Sequence, residues 1–211
     1  GFAIKSYGGA VINENVNIEL PFNIRKNRNI VGKQHIAELV SEQIKDGDSI
    51  MLDASSTAVY VAKTLLEQGK KNLTVLTNSV EIIIELFGAQ DWKVLSTGGE
   101  SREGSFALVG YQTDRMLRSY HVDKAIISCK ALNLGVGMMD SDEQDACSKR
   151  LMLNAAKERI LVADNSKFDK MAFAKVAEWT ELTKAVTDKE PSKDWLKEFE
   201  RLRIDCVYPE K

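Results

Sequence analysis

Short apolar segments alternate with longer amphipathic ones along most of the chain, and this alternation is the tightest constraint on its fold. Residues 49–52, 73–77, 93–96, 124–128, 160–163, 184–187 and 205–208 read as short strands. Between them, 57–68, 80–87, 142–156 and 193–203 read as helices, the first two closed by Gly69 and Gly88. An earlier helix is marked by Ile36, Leu39, Val40 and Ile44 at helical spacing and stops at Lys45-Asp46-Gly47-Asp48. Short apolar strands that alternate with helices predict a parallel sheet covered on both faces. The expected class is α/β, in three layers α/β/α, with a mostly parallel sheet. Residues 102–120 are less regular and read as a helix with a small flap subdomain at its start. No repeat or linker divides the chain, so 1–211 reads as a single domain.

Composition removes several functions. The 29 Lys+Arg against 31 Asp+Glu give a net charge of −2, which argues against this chain gripping nucleic acid alone. No apolar run approaches the ~18 residues that span a bilayer, and the start carries no signal-peptide pattern. The expectation is a cytoplasmic protein with no membrane partner, and the missing initial Met suggests a fragment. Cys129, Cys147 and Cys206 are far apart and read as reduced thiols. His35 and His121 have no partner at helical spacing, so no metal site, no cofactor and no Ser-His-Asp triad is expected. Gly135-Val136-Gly137 lacks the third glycine of a dinucleotide fingerprint.

Open parallel sheets bind ligands beyond the carboxyl ends of their strands. Four predicted strand ends carry small hydroxyls, amides, glycines and cations: Asp53-Ala54-Ser55-Ser56-Thr57, Thr77-Asn78-Ser79, Ser96-Thr97-Gly98-Gly99 with Arg102, and Asp164-Asn165-Ser166-Lys167. That set suits a phosphate: helix-start N–H groups attract anions, hydroxyls add donors, glycines admit close approach, and a cation supplies a charge-assisted bond. Lys167, Arg102 and Lys124 are the candidate cations. Each piece also has a plainer reading: Ser56, Asn78 and Ser79 as caps, Gly98-Gly99 as a turn, Asp53 as an acceptor for backbone N–H groups, Lys167 as a solvated lysine. Ser141-Asp142-Glu143-Gln144 fits a capping box with Ser141 as N-cap, while Asp140 or Glu143 could face the sugar end of a ligand.

Taken in order, Gly8-Gly9-Ala10-Val11, Glu19-Leu20-Pro21-Phe22, Arg25, Lys33, Asp46-Gly47-Asp48, Leu52-Asp53, Ser56-Thr57, Thr77-Asn78-Ser79, Gly98-Gly99, Arg102, Gly110, Asp123-Lys124-Ala125, Asp164, Ser166-Lys167-Phe168 and Thr187-Asp188 form a pattern. It resembles the effector-sensing C-terminal domain of DeoR-type bacterial transcriptional regulators. The resemblance implies a fold like that of ribose-5-phosphate isomerase and glucosamine-6-phosphate deaminase. It implies a phosphorylated sugar as effector and repression of carbohydrate catabolism genes. It also implies a homo-oligomer, and a winged helix-turn-helix upstream that contacts operator DNA. By matching position, Asp53, Ser55, Ser56, Thr57, Asn78, Ser79, Gly98, Gly99, Arg102, Lys124, Glu143 and Lys167 would bind the effector. Two departures stand out: Ser55 where the family usually has Gly, and bulkier residues at Ser128-Cys129-Lys130, a run similar to fucose-type regulators. The alternative is a sugar-phosphate aldose-ketose isomerase using Glu143 and Lys124. A third reading is a ligand-free oligomerisation module.

Overall fold

The computed structural model describes residues 3–6, 9–12 and 20–210. Of the family pattern, Gly8 and Glu19 lie outside the described residues. Strands β1 (Ala3–Ser6) and β2 (Gly9–Ile12) pair antiparallel. Helices α1 (Phe22–Lys26) and α2 (Ile30–Glu42) lead into β3 (Ser49–Leu52), α3 (Ser56–Glu67), β4 (Thr74–Thr77), α4 (Val80–Glu85) and β5 (Lys93–Ser96). The flap comes next as β6 (Glu100–Ser101) and β7 (Leu108–Val109), an antiparallel pair, then α5 (Tyr111–Arg118). The second half holds β8 (Val122–Ile127), β9 (Ala131–Asn133), β10 (Gly137–Asp140), α6 (Glu143–Asn154), β11 (Ala156–Ala163), β12 (Ala174–Ala177), β13 (Lys184–Thr187), α7 (Lys193–Leu202) and β14 (Asp205–Val207).

Seven strands form one parallel sheet in the order β14-β13-β11-β8-β3-β4-β5. Alternation along each strand splits the apolar residues between the two faces. Ile50, Leu52, Ile126, Ile160 and Val162 pack with α2, α3 and α4; Met51, Ala125, Ile127 and Leu161 pack with α5, α6 and α7. Three layers result, as the alternation predicts. Among the described residues, no helix is long and apolar enough to cross a membrane.

The sheet order contains a reversal. From β3 the chain builds outward through β4 and β5, then returns to place β8 on the other side of β3. The crevice between the carboxyl ends of β3 and β8 is therefore the topological switch point, where helices on opposite faces diverge and leave room for a ligand. Asp53 N donates to Ile126 O at 3.3 Å and closes the floor of that crevice.

A second sheet was not legible as strands. β9, β10 and β12 pair antiparallel, with Leu134-Gly135-Val136 forming the β9–β10 turn and Gly137 opening β10. α6 begins one residue later than the expected capping box requires. Asp142 is the N-cap, its carboxylate accepting from Gln144 N at 2.9 Å and Asp145 N at 3.0 Å. An ionised acceptor facing a helix start outcompetes the neutral hydroxyl of Ser141.

Candidate functional site

A cavity of about 500 Å³ opens at the switch point. One wall is the start of α3. Ser55 is its N-cap: the hydroxyl accepts from Ala58 N at 3.1 Å and donates to Asp53 Oδ1 at 2.6 Å. With Ser55 committed to capping, the N–H groups and hydroxyls of Ser56 and Thr57 have no partner among the described residues, and both residues line the cavity. A twelve-residue helix aims its positive end at this point.

The opposite wall is the loop after β11. Asp164 caps the short 3-10 turn Asn165–Lys167 by accepting from Ser166 N at 2.9 Å. Phe168 meets Trp195 edge-on at 4.9 Å, and Trp195 Nε1 donates to Asp169 Oδ1 at 2.9 Å. These contacts fasten the loop to α7 and hold Lys167 at the cavity, where its ammonium has no partner among the described residues.

The α1–α2 elbow supplies a third wall with Arg25, Arg28, Asn29 and Lys33. Lys33 is buried, and its ammonium donates to the carbonyls of Arg25 at 2.6 Å and of Arg28. Burial pulls its pKa down to about 8, helped by the cations Lys167, Arg25 and Arg28; Asp164 opposes. The elbow is locked to the sheet by Asp188, which accepts from Asn165 N at 2.6 Å and Asn29 Nδ2 at 3.2 Å. Gly32 permits this approach, since a Cβ there would stand 2.6 Å from Asp188 Oδ2.

The floor is a buried charge cluster. Asp53 Oδ2 accepts from Ser128 N at 3.0 Å, and Lys149 Nζ lies 3.4 Å from it. Lys149 also pairs with Asp140, whose other oxygen accepts from Ser141 N at 2.8 Å. Burial works against both charges, but each partner outweighs it. Asp140 and Asp53 hold the Lys149 ammonium above its ordinary pKa, and Lys149 holds Asp140 below the carboxylate range. Burial pushes the neighbouring Cys129 thiol up to about 12, leaving it an unreactive lining residue.

The structure sorts the sequence-derived candidates. Ser55, Ser56, Thr57 and Lys167 meet in the cavity, with Asp53 beneath and Asn78 on an adjoining small cavity. The other candidates lie elsewhere. Lys124 sits at the amino end of β8, ion-paired with Asp48 at 2.7 Å. It lies in the amino-terminal half of β8, whereas ligands gather where strands end. Arg102 reaches α6 instead, donating to Asp145 Oδ2 at 2.7 Å. Glu143 is exposed on the first turn of α6. Ser79 is a buried cap, accepting from Ile82 N at 3.2 Å. Gly98 accepts from Thr113 Oγ1 at 2.7 Å through its carbonyl. Gly99, with φ of 119°, lies where a Cβ would be 2.5 Å from Val109 O and would press on Thr113 Oγ1. The two glycines serve the packing of the flap.

Sequence reading missed Lys149 and did not assign Lys33 to the site. Both carry the same signal: a lysine on the apolar stripe of a helix. Lys149 shares its stripe with Ala146, Met152 and Leu153, and Lys33 with Ile36, Ala37 and Val40. Such a lysine is buried by its neighbours and must find acceptors.

Residues 28–189 match the family model of the DeoR C terminal sensor domain. An uncharacterized HTH-type transcriptional regulator, YulB of Bacillus subtilis, is 38% identical over 87% of this chain and 70% of its own length. The glycerol-3-phosphate regulon repressor of Escherichia coli is 25% identical over 89% of this chain and 73% of its own. Among solved structures, eIF2B delta from Chaetomium thermophilum superposes with a TM-score of 0.55 at 19% identity. That match covers 77% of this chain and 57% of the other, a similarity of fold alone.

Proposed function

The chain belongs to the DeoR C-terminal sensor domain family, and from that premise we propose that it senses a phosphorylated sugar for a repressor of carbohydrate catabolism genes. One observation carries this reading. The unpartnered N–H and hydroxyl groups of Ser56 and Thr57 face the same cavity as Lys167. Donors and positive charge converge there, which is what a phosphate needs. The relative named for a glycerol-3-phosphate regulon accords with a phosphorylated metabolite.

The protein's own groups divide the work. Ser56 and Thr57 take phosphate oxygens on their N–H groups, Lys167 neutralises charge, and the α1–α2 elbow closes the cationic wall with Arg25, Arg28 and Lys33. Operator contact is assigned to a winged helix-turn-helix N-terminal to the sensor fold. Effector binding biases the quaternary arrangement of a homo-oligomer, and it does so only by its differential affinity for the two states. Turning a 1:99 population into 99:1 needs about 5.5 kcal/mol of that difference. A regulatory role is supported by the placement of Glu143 and Lys124, the pair an isomerase would draft, neither of which lines the cavity.

Thermal unfolding tests the reading. Glucose 6-phosphate, ribose 5-phosphate, fructose 6-phosphate and glycerol 3-phosphate are compared with their unphosphorylated parents. A ligand at 100 times its Kd adds about 2.7 kcal/mol, a shift of a few degrees for this length. Parents that stabilise as much as their phosphates would sink the phosphate pocket. The full regulator's operator affinity must then respond to the same compound.

A further inference from the structure

We propose that Asn78, together with Lys149, reads one hydroxyl of the effector in a small cavity beneath the phosphate site. The inference rests on the anion pocket proposed above and adds the feature that would select among phosphorylated compounds.

Asn78 is 3% exposed and its orientation is fixed from both sides. Its Nδ2 donates to Leu108 O at 3.0 Å, while its own carbonyl accepts from Leu108 N at 2.7 Å. The flap strand β7 therefore holds the amide so that Oδ1 is the remaining group. That oxygen is buried and has no hydrogen-bond partner among the described residues. An acceptor cannot bind a phosphate dianion, so Asn78 is excluded from the phosphate role its sequence position suggested. It asks for a donor.

Lys149 supplies the complement. An ammonium has three N–H donors. Asp140 accepts one of them, and Asp53 stands 3.4 Å away as an ion-pair partner, with the Asp145 carboxylate also facing the ammonium. Asn78 and Lys149 line a common cavity of about 20 Å³ with Arg25 and Asp145, and it shares Arg25, Ser55, Asp140 and Lys149 with the main one. That volume admits one oxygen-sized group and no phosphate. Lys149 and Arg25 offer donors there while Asn78 Oδ1 asks for one, so the oxygen placed between them both accepts and donates. A hydroxyl does both. A carbonyl or ether oxygen lacks the proton, and an amine would meet the Lys149 charge. The effector class is thus a phosphate ester with a free hydroxyl placed away from the phosphate. The competing occupant is a water molecule that no ligand displaces.

Isothermal titration of the full chain decides between them. The titrants are inorganic phosphate, the sugar phosphates named above, and single-deoxy analogues of whichever binds tightest. The expected result is that one deoxy analogue binds about 100-fold more weakly than its parent in wild type. In Asn78→Ala that ratio collapses to about threefold or less, because the site no longer holds the acceptor that the missing hydroxyl leaves unpaired. Retention of the full ratio in Asn78→Ala overturns the proposal. So does a wild type that binds every deoxy analogue like its parent while still binding phosphate; the anion pocket survives that result. Absence of binding by any phosphate, inorganic phosphate included, removes the pocket itself and this proposal with it. Should Asn78→Ala fail to fold, a crystal structure with the tightest sugar phosphate decides the matter. A sugar oxygen between Asn78 and Lys149 supports the proposal, and a retained water there overturns it.

Discussion

The two ends of the central sheet carry the same kinds of residue and put them to opposite use. At the amino end, Lys124 pairs with Asp48 at 2.7 Å and stands 3.6 Å from Glu158. Asp123 accepts from Ser49 N at 3.0 Å, Ser49 Oγ at 2.7 Å and Lys157 at 2.9 Å. These groups find partners on neighbouring strands. At the carboxyl end, Lys149 is held between Asp53 and Asp140, and around this cluster Lys167, Ser56 and Thr57 have no partner among the described residues. The difference comes from helix direction. In a strand–helix–strand unit the helix starts where the strand ends, so free N–H groups and positive potential collect at the carboxyl edge. A carboxylate at the amino end ties strands together; at the carboxyl end a second anion is invited.

The largest expected effect separates the two lysines by stability. Lys149→Met leaves Asp53 and Asp140 buried without their cation, and unfolding by urea should register a loss of about 3–5 kcal/mol. Lys124→Met leaves Asp48, which has access to water, and the loss should be about 1–2 kcal/mol. Equal losses would mean that the two ends are equally closed.

Next comes Gly99→Ala. The left-handed backbone and the Val109 carbonyl make it cost about 2–3 kcal/mol, while phosphate affinity in the folded fraction stays unchanged. A selective loss of affinity would restore the glycines to the ligand site.

Lys167→Ala should weaken sugar-phosphate binding by roughly 10- to 100-fold, the worth of one charge-assisted bond. Its unfolding free energy should move by no more than about 0.5 kcal/mol. Lys124→Ala should leave affinity alone, and titration of both variants side by side checks the contrast between the ends.

The smallest effect is one of pH. Lys33 has a folded pKa of about 8, below the ordinary lysine value of 10.5. Between these values the unfolded chain binds the extra proton, so stability rises with pH across that window. A bound anion favours the charged ammonium, so effector affinity should fall as pH climbs through about 8. Comparing wild type with Lys33→Met from pH 7 to 10 isolates the effect; identical pH profiles would remove Lys33 from the cationic wall.

Much of this was readable in the chain itself. Residues 49–52, 93–96 and 184–187 are strands at the bounds their apolar patterns predict. Ser55, Ser56, Thr57 and Lys167 each stand just past the carboxyl end of an apolar strand, so position alone marks them for the edge where the cavity opens. Lys124 falls in the amino-terminal half of its strand, toward the other edge of the sheet. Arg102 and Glu143 could not be placed so simply. Arg102 is taken by Asp145, forty-three residues away, and Glu143 turns outward because Asp142 rather than Ser141 starts the helix. The antiparallel sheet of β9, β10 and β12 was missed because its strands are short and β12 joins from far along the chain.

The sequence alone determined the elements, their order and the edge of the sheet where a ligand belongs. These depend on periods of two and 3.6 residues and on caps, all of which act within a few positions. Only the tertiary structure decided that β3 and β8 are neighbours, that Lys149 lies beneath Asp53, and that Asn78 presents its oxygen and not its nitrogen. Those outcomes depend on partners distant in the chain, such as Leu108 for Asn78 and Asp140 and Asp53 for Lys149. A buried charge or amide takes its role from whichever of them folding brings within hydrogen-bond reach.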